Sequence, residues 1–162
     1  MDVNKTTRDR VQSAFRAASV AYSVFMVLPP VAFAIALLVQ INRAAPPRNP
    51  GRVTNWLWLI AVYLMIGFPA ALFIRRRLCI AYNRGEAVAP RNYLVGMLTV
   101  WLSLEIGMLL PIVGYCVTGV LIPIIPLALV PLVFFITLWP SGDMLVSHSG
   151  DSDDAEIYKN PR

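Results

Sequence analysis

Uncharged apolar runs alternate along this chain with short polar, proline-rich or arginine-rich segments. The first run, residues 17–39, holds 23 residues without a charge. A membrane-spanning helix needs about 20 apolar residues at a rise of about 1.5 Å each, so 17–39 predicts a first span. Residues 1–16, with Lys5, Arg8, Arg10 and Arg16, read as a basic tail before it. Ala32-Phe33-Ala34 resembles a signal-peptidase site, but the run is longer than the roughly 7–15 residue core of a signal peptide. An uncleaved anchor is the expectation.

Pro46, Pro47, Pro50 and Gly51 make a loop of residues 40–55 by backbone restriction. The second run, 56–74, opens on Trp56 and Trp58 at the depth of lipid headgroups. It closes on Arg75-Arg76-Arg77. Residues 75–92 read as a loop with a turn at Asn83-Arg84-Gly85 and a stop at Pro90. From 93 to 139 lie 47 residues with one charge, Glu105. At about 30 Å of hydrocarbon per crossing, that is two spans, placed at 93–112 and 120–139. The turn between them is expected at 113–119, with Pro111 and Pro123 on either side. Pro123 and Pro126 leave open whether the fourth segment crosses fully or re-enters. Residues 140–162 form an acidic tail, with Asp143, Asp151, Asp153, Asp154 and Glu156, that is expected to be disordered.

The pattern predicts an all-α membrane protein: a four-transmembrane-helix bundle with proline-kinked helices. Pro29, Pro30, Pro69, Pro111, Pro123, Pro126 and Pro131 all fall within the spans, where a missing N–H bends a helix and neighbours must satisfy the freed carbonyl. Composition agrees, with 57% hydrophobic and 14% charged residues and mean hydropathy +0.63, against about 45–50% and 25% for soluble domains. Lysine and arginine set orientation. The N-terminal tail holds four, residues 75–92 five and the C-terminal tail two, together eleven, against three in 40–55. Both ends are therefore expected in the cytoplasm, in a bacterial plasma (inner) membrane. The net charge of +5 would suggest nucleic acid in a soluble protein, but no aromatic-basic platform supports it. Arg75, Arg76, Arg77, Arg84 and Arg91 read instead as topology determinants facing anionic headgroups, with an acidic protein partner as the alternative.

Glu105 is the sharpest feature. A lone charge at mid-helix costs about 2.5–3.5 kcal/mol to insert and is a functional candidate by default. No lysine, arginine or histidine lies in any predicted span to pair with it. At about 100° per residue, Gly96, Thr99, Ser103 and Gly107 share one stripe of small residues that admits close helix packing. Glu105 falls on the opposite face with Leu94, Leu98, Trp101 and Ile112. If the small stripe faces inward, the carboxyl faces a partner subunit or a second copy. The alternatives are a neutral acid bonded to Tyr63, Ser103 or a proline-freed carbonyl, and a proton- or ion-handling group.

Catalytic and cofactor signatures are few. Cys79 and Cys116 are expected on opposite faces and unpaired, and His148 lies in the tail. The acidic tail lacks the glycine and glutamate of a calcium loop. No cofactor, metal or enzymatic activity is expected. The expected role is a non-catalytic accessory or structural subunit of a membrane complex or homo-oligomer. The alternatives are a small oligomeric transporter or channel using Glu105, and a lipid-handling membrane enzyme.

Overall fold

The computed structural model describes residues 3–42, 49–84, 86–141 and 143–145. Among them all regular structure is helical. Helix α1 (Val3–Ile41) starts well before the expected span, so the described part of the basic tail is helical. The reason is an apolar stripe that begins inside that tail. Val11, Ala14, Ala18, Tyr22, Pro29 and Ala36 recur at three, four or seven residues and are buried, whereas Arg10 and Arg16 lie off the stripe and are exposed.

Helix α2 (Pro50–Leu78) also starts early. Asn49 caps it, its side-chain oxygen accepting from the Gly51 N–H at 3.0 Å and the Arg52 N–H at 3.4 Å, with Pro50 in the first turn. Both are favoured choices at a helix start. Midway, Tyr63–Gly67 widens into a π turn. Pro69 cannot donate to the Met65 carbonyl inside that turn, and such a turn is a recognised way to absorb the mismatch.

Helix α3 (Pro90–Thr118) corrects two expectations. Pro90 opens the helix rather than stopping it, because proline's missing N–H is unneeded in a first turn. The helix also runs through Pro111 and takes in most of the turn expected at 113–119. It ends where Gly119 takes φ 68°, its N–H bonding the Tyr115 carbonyl at 2.8 Å. That left-handed cap suits glycine, which has no Cβ to clash.

The fourth segment contains a short helix, α4 (Ile125–Thr137), whose first turn Ile125–Ala128 is 3-10. Three helices are long and apolar enough to cross a membrane, and α4 is shorter. The residues before it, including the cis Ile122–Pro123 bond, are irregular. The chain nevertheless follows α3 closely in the reverse direction. A methyl placed on Gly114 would meet Ile124, and one on Gly107 would meet Pro131. The Trp101 indole N–H donates to the Leu138 carbonyl at 3.1 Å, and the Val88 N–H to that of Met144 at 2.9 Å. Residues 124–144 thus pass along the whole of α3.

Contacts fix the other directions. Tyr22 meets Trp101, and Phe33 meets Tyr115, so α1 runs parallel to α3. Gly96 sits against Arg75, Gly107 against Leu64 and Gly114 against Trp56, so α2 runs antiparallel. Helix α3 is the centre. Its most apolar stretch is 56% buried, against 11% for α1 and for α2. Only Val95, Leu102, Ile106, Val113 and Val117 form an exposed stripe along it. At the arginine-rich end the core continues beyond the apolar stretches through Val11, Cys79, Val88 and Leu145.

Asn83 has no described side chain, and Pro46, Pro47, Gly85, His148 and the acidic Asp151, Asp153, Asp154 and Glu156 lie outside the described residues. The turn, loop and tail expectations there stand apart from this fold.

Close approach at Gly107 generates a test. A methyl there would lie 3.3 Å from Pro131 Cβ and 3.5 Å from Leu64 Cδ2. Gly107→Leu is expected to destabilise the protein by about 1–3 kcal/mol, the usual cost of overpacking. Thermal unfolding in detergent reads this, and an unchanged midpoint would contradict the packing.

Candidate functional site

The candidate site is the buried belt of α3 around Glu105. The small stripe faces α2 and α4. Gly96 packs on Cys79 and Arg75, and Gly107 lies between Pro131 and Leu64. The Tyr63 hydroxyl donates to the Ser103 carbonyl at 2.8 Å and lies 3.0 Å from the Ser103 hydroxyl. Thr99, at the stripe's edge, bonds its own helix through the Val95 carbonyl at 2.8 Å.

The opposite face is covered too, which corrects the expectation of an outward acid. Glu105 is 2% exposed. Helix α1 lies over this side of α3, with Tyr22 against Trp101 at 5.5 Å and Phe33 against Tyr115 at 6.5 Å. Helix α3 is central, with covered faces toward α1 as well as toward α2 and α4, so a residue opposite the small stripe is still inside. Tyr63 and Ser103 bond each other and neither reaches the acid. Both Glu105 oxygens are buried with no hydrogen-bond partner.

An aromatic cluster closes the belt one turn from Glu105. Tyr22 stacks on Phe135 at 4.8 Å and meets the edges of Trp101 and Trp139 at 5.5 and 4.7 Å. At the other end, the Gln40 amide donates to the Tyr115 and Cys116 carbonyls at 3.1 and 2.6 Å. These belong to the last turn of α3, where carbonyls run short of helical partners; that of Tyr115 also accepts from the Gly119 N–H. Sequence reading left Gln40 in a loop. Its place seven residues beyond Phe33, on the same helical stripe, was the available signal.

Arg75, Arg76, Arg77, Arg84 and Arg91 gather at one end because α3 starts there and α2 finishes there. Arg75, Arg76 and Arg77 occupy the last turn of α2, where positive charge complements the helix dipole. Arg76, Arg77, Arg84 and Arg91 are exposed, and the Arg77 guanidinium lies 5.1 Å over the Phe73 ring. Arg75 differs. It is half-buried, its Nη2 lies 3.9 Å from Met144 Sδ, and its buried Nε has no hydrogen-bond partner. Cys79 and Cys116 are free thiols near opposite ends of α3. Burial pushes the Cys79 thiol up, partly offset by the Arg75 charge.

Fold and site together define a class, an all-helical protein with three helices long and apolar enough to cross a membrane. No protein-family model, curated protein or solved structure matches the chain.

The Tyr63–Ser103 contact ties α2 to α3. Tyr63→Phe is expected to cost about 0.6–1.7 kcal/mol, the range for hydrogen bonds between membrane helices. Unfolding midpoints in detergent measure it, and a loss of zero would show the contact to be incidental.

Proposed function

We propose that this protein is a multi-pass membrane protein with both ends in the cytoplasm, serving as a non-catalytic structural subunit of a membrane complex or homo-oligomer. The observation that carries the reading is the outer side of α1. There Ser19, Val20, Ser23, Val24, Val27, Leu28 and Val31 line an open, shallow apolar groove. The Ser23 hydroxyl donates to the Ser19 carbonyl at 3.0 Å, so this side chain presents little unmet polarity to a neighbour. Small residues in a lipid-facing groove favour close approach of another helix.

The clustering of Arg75, Arg76, Arg77, Arg84 and Arg91 at one end supports the cytoplasmic placement of that end, where anionic headgroups attract them by about 1 kcal/mol per charge. A second reading, a small transporter or channel using Glu105, draws its support from the buried, unbonded carboxyl.

Ser23→Trp fills the groove from a lipid-facing position. Association with copies or other membrane proteins, read as native mass in mild detergent, is expected to fall to the single chain while helix content stays unchanged. A protein that is already a single chain before substitution would end the subunit reading. For orientation, Arg84→Cys and Asn55→Cys in a Cys116→Ser background are expected to label from the cytoplasmic and the opposite side respectively. Buried Cys79 stays silent, and reversed labelling would invert the proposed topology.

A further inference from the structure

Glu105 is buried, and α1 packs against α3 on either side of its level, through Tyr22 on Trp101 and Phe33 on Tyr115. On parallel helices rising about 1.5 Å per residue, Glu105 stands about 6 Å beyond Trp101. Phe25 and Pro29 stand about 4.5 and 10.5 Å beyond Tyr22 by the same measure, and Tyr22 and Trp101 are in contact. The acid is therefore level with the turn around Phe25, and Pro29 stands nearly one turn further on. Phe25 packs against the core and Pro29 is buried, so both lie on the covered stripe of α1. Pro29 has no N–H, and the Phe25 carbonyl loses its usual helical donor. A carboxyl and a carbonyl, each short of a hydrogen bond, thus share one interface. Pro30 does the same to the Met26 carbonyl, but Met26 and Pro30 are exposed.

A bare carboxylate does not fit this place. No lysine, arginine or histidine lies in residues 17–41, 53–74 or 92–139, and at 2% exposure a cation from another protein cannot reach the group. Within the apolar stretches the other titratable groups are Tyr22 of α1, Tyr93, Tyr115 and Cys116 of α3 itself, and Tyr63 of α2, which is engaged with Ser103. Helix α4 carries none. A metal ion requires several oxygen ligands, whereas Trp101, Met108, Phe25 and Pro29 supply mainly apolar surface. A proton requires one acceptor.

We infer that Glu105 is an intramembrane proton-binding site whose acceptor is the Phe25 carbonyl released by Pro29. The neutral acid donates its O–H to that carbonyl and joins α3 to α1. Removing the proton abolishes the donor and leaves a charge between two apolar helices, so occupancy governs how firmly they hold together. The inference stands whether or not the subunit reading does.

Infrared spectroscopy of the protein in liposomes tests it, because a protonated carboxyl has its own C=O stretch. Wild type is expected to show this band at neutral pH, and Glu105→Gln to lose it entirely. Pro29→Ala and Pro29→Gly both return an N–H to the Phe25 carbonyl and are expected to move the band to higher frequency. Pro30→Ala, acting on the outward Met26 carbonyl, is expected to leave it in place. Absence of a band removable by Glu105→Gln would overturn the proton site, as would its loss on adding sodium. A band unmoved by both Pro29 substitutions, or moved equally by Pro30→Ala, would overturn the Phe25 assignment.

Discussion

The structure depends on covering α3. That helix is the least apolar of the three long helices, and along its length it carries Glu105, Ser103 and three glycines. Such a helix gains little from lipid and much from protein contact. Glycines allow α2 and α4 to approach on one side, and the apolar stripe of α1 closes the other. A hydrocarbon environment offers no hydrophobic force between helices, so this sleeve is held by close packing and a few hydrogen bonds. The Tyr63–Ser103, Trp101–Leu138 and Gln40–Cys116 contacts supply those bonds at successive depths.

Much of the helical layout was legible in the sequence, because charge-free runs of bilayer length leave few alternatives. Helix ends were read less well. Asn49 with Pro50, and Pro90 alone, are start signals, yet prolines beside arginine-rich or loop-like segments were read as breakers. The π turn at Tyr63–Gly67 has only Pro69 as a local cue. The site itself was half legible. Glu105 stood out by its charge, and the small stripe by its spacing. Its surroundings were not, since one helix's periodicity does not say how many neighbours surround it. The hydrophobic content of α3 is spread almost evenly around its circumference, and that evenness was the overlooked sign of a central position.

The fourth segment is partly irregular. Within hydrocarbon, backbone polar groups need partners. The short helix Ile125–Thr137 keeps to α3, and beyond it the Leu138 and Met144 carbonyls find donors in Trp101 and Val88. Leu121, Ile122 and Pro123, before that helix, are exposed.

The two ends of the molecule are closed by different means. At the arginine-rich end, Val11, Val88 and Leu145 extend the water-excluding interior. At the far end, Phe33 meets Tyr115, Ile124 and Trp56 pack at Gly114, and the Gln40 side chain reaches two carbonyls. The parallel pair α1 and α3 is thus fastened at both of its ends, by apolar packing at the first and by packing with an amide clasp at the second.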